Sequence, residues 1–361
     1  SFLEGRGGAL ALAAGATAEL EDCRLSGNSA ENAGGGVWSQ GDGGSVVLTR
    51  CVLEDNASGW WGGAVGLEGK SSVVLDGSTV SGNWAVEEGG GLFGLNATVR
   101  VVGGSEFVNN TVGFVGGGIS LRDESNLTIA DSAFRRNWWA PGNTSNAFGS
   151  GGGVRVFGAS FQTVVSITDS LFEENFSRFG GALWIADGYS LTVRGTVFQR
   201  NYADTRGGFG GAASVESGGV AEFTACNFTG NVAFNGGGGM MAEGCRLSIS
   251  DSLFEGNNNF FEGGALVAED NAVVTLERST FVGNFIQDQG DGAGSGGAVV
   301  VARSTLNATN CIFENNQADF PEPTAGYDPE TEELEGGGAV MLEDAANATF
   351  VGCNFTLNGG A

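Results

Sequence analysis

The chain has 361 residues, 66 of them glycine and 4 proline, with 41% apolar residues and a formal net charge of −26 from 42 acidic against 16 basic side chains. Glycine does not recur at every third position, which excludes collagen, and the apolar content is too high for simple disorder. The acidic balance makes nucleic acid a poor partner. The lack of histidine and the single lysine, Lys70, remove the commonest proton shuttle and metal ligand.

Taken from its start, the chain reads as one supersecondary unit written twelve times. The first unit opens on Gly7-Gly8-Ala9 and runs into a short segment with Leu10 facing inward. A second segment carries Leu20, a third carries Leu25, and the unit closes at Asn28. The same closing asparagine returns at Asn56, Asn83, Asn110, Asn137, Asn175, Asn201, Asn231, Asn257, Asn284, Asn316 and Asn358. Three residues before it stand Leu25, Leu53 and Val80, and then phenylalanine from Phe107 to Phe355. Eight before it lies a second apolar column, from Leu20 through Val102 to Phe350. A third follows each Gly-Gly, with Val37, Val65, Phe93 and Ile119 among its members. Segments this short, apolar at every second position and bounded by turn formers, predict strands. The expected fold is therefore all-β: a parallel β-solenoid of about twelve turns of three short strands, occupying 1–361 as a single repeat array. At about 4.8 Å per turn the rod is roughly 58 Å long. The glycine pairs supply tight corners, and the asparagines are expected to form a ladder while adopting the left-handed backbone region.

The pairing of Gly-Gly-Ala-[Ile/Leu/Val] with Phe-x-x-Asn, as in Phe134-Arg135-Arg136-Asn137, Phe172-Glu173-Glu174-Asn175, Phe254-Glu255-Gly256-Asn257 and Phe281-Val282-Gly283-Asn284, resembles the repeat of chlamydial polymorphic outer membrane proteins. That family is similar to pectin lyase in its right-handed, single-stranded parallel β-helix. The resemblance implies surface display and adhesion.

Five of the six cysteines stand five residues before the closing asparagine. Cys23 and Cys51 fall in consecutive turns, as do Cys311 and Cys353, so stacking places each pair within disulfide range. Cys226 and Cys245, in adjacent turns but different columns, form a weaker candidate pair. Ten Asn-x-[Ser/Thr] sequons occur; those read as outward or in loops are Asn96, Asn126, Asn143, Asn227, Asn307, Asn347 and Asn354, whereas Asn56 and Asn175 belong to the ladder. Disulfides and sequons together point to the secretory route and an extracellular or cell-surface location.

Insertions fall mostly between the asparagine and the next Gly-Gly, along one edge of the rod. That edge holds the pairs Trp60-Trp61 and Trp138-Trp139, which, with Trp38 and Trp184 on the outward column of the first strand, are candidate contacts for a protein partner or a glycan. That outward column, from Ala11 and Trp38 to Val300 and Met341, contains no carboxylate. It reads as a dry face suited to another protein or to a further layer of the molecule. The insertion from Gln317 to Glu335 is acidic and could at most bind Ca²⁺ weakly. No catalytic, cofactor or metal residue is assigned, and no apolar run is long enough to span a bilayer.

The expected function is a non-enzymatic structural or adhesive glycoprotein of a cell surface, sheath or filament, as on a protist or alga, partnered by other subunits or by copies of itself. Polysaccharide binding or processing and host-cell adhesion are the alternatives. The chain opens at Ser1 without a signal-like segment, and the expectation is a span of a longer protein.

Overall fold

The computed structural model describes residues 5–140, 149–158, 163–204, 207–287, 296–318 and 337–359. Every strand in it is paired in parallel with its counterpart one turn away, in three twelve-stranded sheets and one of eleven. A turn is seen completely between Val37 and Ser58. The first sheet takes Val37–Gln40, the second Ser45–Thr49, the third Val52–Glu54 and the fourth Ala57–Ser58. The solenoid thus has four strands per turn rather than the expected three. The two-residue strand after the asparagine is too short to show a period in the sequence.

Inside, columns stack in register. The phenylalanine column forms a continuous ladder of parallel rings, with centroids 4.8 Å apart for Phe107 and Phe134, 4.9 Å for Phe134 and Phe172, and 4.4 Å for Phe228 and Phe254. Each stacked pair contributes about 0.5–1.5 kcal/mol beyond the area it buries. Two column members differ from expectation. Leu92, not Phe93, pairs with Val65 and Ile119, so Phe93 points out of the sheet. Val101 takes the core place expected for Val102, because Gly103-Gly104 adds a residue to the following turn.

The asparagine ladder is complete. Asn83 donates from its backbone N–H (3.1 Å) and from Nδ2 (2.9 Å) to Oδ1 of Asn110, and Nδ2 also donates to the Leu53 carbonyl at 2.9 Å. The left-handed backbone falls on the residue before each asparagine, such as Asp55 (φ 53°), Arg136 (φ 51°) or Glu174 (φ 54°), and not on the asparagine itself. The asparagine is retained for its amide, which fills both donor and both acceptor sites in a dry corner.

A second ladder runs one corner earlier. The Cys51 N–H donates to Oγ of Ser78, Ser78 to Ser105, and Cys226 to Ser252, at 2.9–3.1 Å. Cysteine here stands in a column of hydroxyls. At the glycine pair, Gly34 has φ +66°, and a Cβ on Gly35 would lie 2.2 Å from the Gly63 carbonyl oxygen. Only glycine lets the backbone of successive turns approach this closely.

Candidate functional site

The outward face of the first sheet, expected to pack against another protein or a further layer of the molecule, is covered. After the fourth strand the chain doubles back and lays a ridge over the outer side of the first sheet, bridged from turn to turn through Arg6, Ala33, Trp61, Glu88 and Val115, and again through Ser150, Phe179, Phe209, Gly236 and Glu262. The further layer belongs to the molecule itself. Trp38, expected as a contact, is fully buried beneath it, with the Arg6 guanidinium 4.8 Å from its ring centre. Phe93 stacks on Trp61 at 5.3 Å. Trp139 is buried too, its indole N–H donating to the Gly113 carbonyl. Neither Trp38 nor Trp139 can meet a partner.

Under this ridge sits a compact ion cluster. Glu88 accepts from Arg122 at 3.0 Å, from Arg155 at 3.2 Å and from the Ser120 hydroxyl at 3.1 Å. Arg155 is only 9% exposed, and burial holds its guanidinium down to about 10 despite the neighbouring Glu88. Its Cζ lies 5.1 Å from the Phe157 ring and 5.4 Å from Trp184.

Where the ridge meets the ends of the first-sheet strands, a cleft of about 450 Å³ opens, lined by Arg155, Trp184, Phe179, Phe209, Met241 and a row of carboxylates. Glu216, Glu243 and Glu269 are in register on three successive turns. Trp184 donates its indole N–H to Glu216 at 2.9 Å, and the Ser214 hydroxyl does so at 2.6 Å. All three carboxyls are held above the ordinary range, chiefly by burial. Glu243 adds repulsion from Asp270, and Glu269 is partly relieved by Arg303. The sequence reading missed this row because it followed the residue one place after the core column. The strand ends two places further carry Glu68, Glu216, Glu243, Glu269 and Glu343, a repetition visible in the sequence.

The remaining contact candidates do not share one place. Trp60 and Trp138 are 49% and 48% exposed, Trp61 is half-buried, and Trp184 belongs to the cleft. On the fourth sheet Trp84, Thr111, Trp138, Phe176 and Tyr202 share one outward column. Trp138 packs on Phe176 at 5.0 Å, and Phe176 stacks on Tyr202 at 5.6 Å. Trp60 follows the fourth strand Ala57–Ser58 one turn before Trp84, and Phe114 follows Thr111–Val112. Among the described residues, apart from Phe350 and Phe355 near residue 359, the strongly exposed Trp and Phe side chains are Trp60, Trp84, Phe114, Trp138 and Phe285, all on this edge.

All six cysteines are free thiols in this structure. Cys23 and Cys51 occupy the same place on neighbouring turns, as do Cys311 and Cys353. Cys226 and Cys245 do not come together. Cys226 follows the strand Val220–Thr224, and Cys245 precedes its partner strand Arg246–Ser250. They are thus a strand length apart, about 17 Å, beyond the roughly 7 Å a disulfide spans. Cys245 lies instead against Tyr189, and burial raises both groups. Of the sequons, Asn227, Asn307, Asn347 and Asn354 are exposed, and Asn96 and Asn126 are half-buried, Asn126 accepting from the Val164 N–H. Asn56 and Asn175 are fully buried in the ladder. Asn143 and the acidic stretch 319–335 lie outside the described residues. Among the described residues no group of three or more Asp, Glu, Cys or His side chains is placed to hold a metal ion, and no helix is long and apolar enough to cross a membrane.

The model of the right-handed β-helix region matches residues 1–202 and 206–361. The chain belongs to the right-handed β-helix family. It is also similar to metabotropic glutamate receptor-like protein R of Dictyostelium discoideum, 28% identical over 197 residues, which are 54% of this chain and 11% of that protein. The solenoid thus spans a small fraction of that relative's length. Among solved structures, a mannuronic-acid-specific polysaccharide family 6 lyase from human gut microbiota aligns over 91% of this β-helix and 86% of its own chain, at 10% identity and a TM-score of 0.27.

Proposed function

We propose that this β-helix is a non-enzymatic structural or adhesive module of an extracellular or cell-surface assembly, and that its aromatic edge is the seat of another protein subunit. The observation that carries this reading is the row of exposed aromatics along one edge. Trp60, Trp84, Phe114, Trp138 and Phe285 stand there, while outward side chains elsewhere include ion ladders such as Glu106–Arg135–Glu173 and Asp22–Arg50. An exposed run of rings offers large apolar area at low entropic cost, as protein contacts require. The sequons Asn126, Asn227, Asn307, Asn347 and Asn354 lie on the second and third sheets, so glycans there would leave this edge bare. The likeness of the repeat to that of chlamydial polymorphic outer membrane proteins supports the same adhesive role.

The test is the native assembly seen by electron microscopy, with and without the triple substitution Trp60→Ala, Trp84→Ala and Trp138→Ala. The expected result is lateral contact through this edge, lost in the variant while the far-UV spectrum of the solenoid is kept. An assembly that survives the substitution overturns the reading.

A further inference from the structure

The aromatic edge holds a carboxylate among its exposed rings. Trp60, Glu87 and Phe114 stand immediately before the ridge residues Trp61, Glu88 and Val115, which bridge from turn to turn. The three are therefore counterparts on successive turns, and the Glu87 N–H donates to the Trp60 carbonyl at 2.9 Å. Trp84 and Val86 precede Glu87 on its own turn. Trp60, Trp84, Val86 and Phe114 are 49%, 37%, 44% and 45% exposed, and Glu87 is half-buried.

No cation of the described residues pairs with Glu87. Its side-chain partner is the Trp61 indole N–H, which donates to it at 3.3 Å. The one basic side chain outside those residues, Arg206, stands between Asp204 and Gly207 in the sequence. It follows Asn201, four rungs of the asparagine ladder beyond Asn83, and that turn is about 19 Å from the turn of Glu87.

The next residue shows the same arrangement with its cation in place. Glu88 turns under the ridge and meets Arg155 at 3.2 Å, whose Cζ lies 5.1 Å from the Phe157 ring and 5.4 Å from that of Trp184. Arg6 on Trp38 and Arg178 on Phe179, at 4.8 and 5.1 Å, repeat the contact of guanidinium with ring. On the outer side, Glu87 has the rings and the carboxylate, and the cation has to come from elsewhere. Trp60 and Phe114 are two turns apart, about 10 Å, so a charge midway between rings at that spacing is about 5 Å from each. A ring face attracts a cation within about 6 Å. The net charge of −26 sets a second copy of the chain against repulsion and draws a basic partner in.

We propose that the protein subunit seated on the aromatic edge is basic and is anchored by an arginine or lysine side chain. Its charge lies on Glu87 between the rings of Trp60 and Phe114, and its aliphatic stem lies along Trp84 and Val86. This inference rests on the reading of the edge as a subunit seat and adds the chemistry of that subunit.

Salt titration of the native assembly, followed by sedimentation, tests it with the full chain as wild type, Glu87→Gln, Glu87→Lys and the triple tryptophan variant. Glutamine keeps an acceptor for the Trp61 indole, so the far-UV spectrum of Glu87→Gln is expected to be unchanged. Glu87→Gln is expected to weaken assembly about tenfold at low salt and to flatten its salt dependence, and Glu87→Lys to abolish it. The purified chain alone is expected to sediment as a monomer and not to float with phosphatidylcholine vesicles. Assembly of both Glu87 variants with wild-type strength and salt dependence overturns the proposal. If the triple variant then still fails to assemble, the edge stands as the seat and only the cation falls; if it assembles normally, the seat falls too. Self-association or vesicle binding that Glu87→Gln removes assigns the site to a second copy or to a lipid headgroup, and also overturns the proposal.

Discussion

Asn175 donates both its backbone N–H and its Nδ2 to Oδ1 of Asn201, each at 3.0 Å, and Asn201 repeats the contact on Asn231. Replacing Asn201 by alanine therefore orphans both donors of Asn175 on the turn before and the Phe172 carbonyl that Asn201 Nδ2 reaches at 2.9 Å, and takes from Asn231 Oδ1 one of its two donors. Each unmet buried group costs about 1–3 kcal/mol. Asn201→Ala is expected to destabilise the solenoid by about 3 kcal/mol or more, read as a lower denaturation midpoint in urea. A loss below about 0.5 kcal/mol, the scale of an ordinary surface change, would refute the ladder's energetic role.

Glu88 and Arg155 allow a sharper comparison. Glu88→Ala leaves Arg155 buried without its counter-charge and is expected to cost about 3–5 kcal/mol. The double change Glu88→Leu, Arg155→Leu removes both charges from beneath the ridge and is expected to recover most of that loss. Thermal melts of the three proteins check the order. Equal destabilisation by the single and the double change would show that packing, not charge, dominates there.

The carboxylate row makes a prediction about pH. Burial raises Glu216, Glu243 and Glu269 above the ordinary glutamate value in the folded chain. The folded state then holds protons that the unfolded state has released, so these groups lower stability as pH rises from the ordinary glutamate value through their folded values. Glu243→Gln is expected to raise the melting temperature at pH 7, with the gain shrinking to nothing on acidification below the ordinary glutamate value, near 4.3. A gain independent of pH would point to a cause other than charge.

Cysteine pairing can be checked by mass spectrometry of protein digested without reduction after exposure to oxidised glutathione. Neighbouring parallel strands put equivalent Cα atoms about 4.8 Å apart, within the disulfide range. The expected bridges are Cys23 to Cys51 and Cys311 to Cys353, where the Cys311 N–H already donates to the Cys353 Sγ at 3.5 Å. Cys226 and Cys245 are expected to stay reduced, since burial pushes their thiols up to about 11 and about 12. A Cys226–Cys245 peptide would contradict the register of the second sheet.

The amino-acid sequence by itself determined the repeat, its number of turns, the inward columns and the asparagine ladder. A solenoid presents each core position to the same position one turn later, so a period in the chain is a contact in space. Legibility ended where periodicity did. The fourth strand has two residues, and Val101 stands one place before its expected position where Gly103-Gly104 broke the alignment. Leu92, directly after its glycines as Val37 and Ile119 are, holds the core place expected for Phe93. The tertiary structure alone decided that the irregular edge segments fold back as a ridge. That burial turned Trp38 and Trp139 from candidate contacts into core and made a cleft beside Trp184. The glutamates at the strand ends were readable one by one. Their burial was not, because it depends on a cover that no column of the repeat encodes.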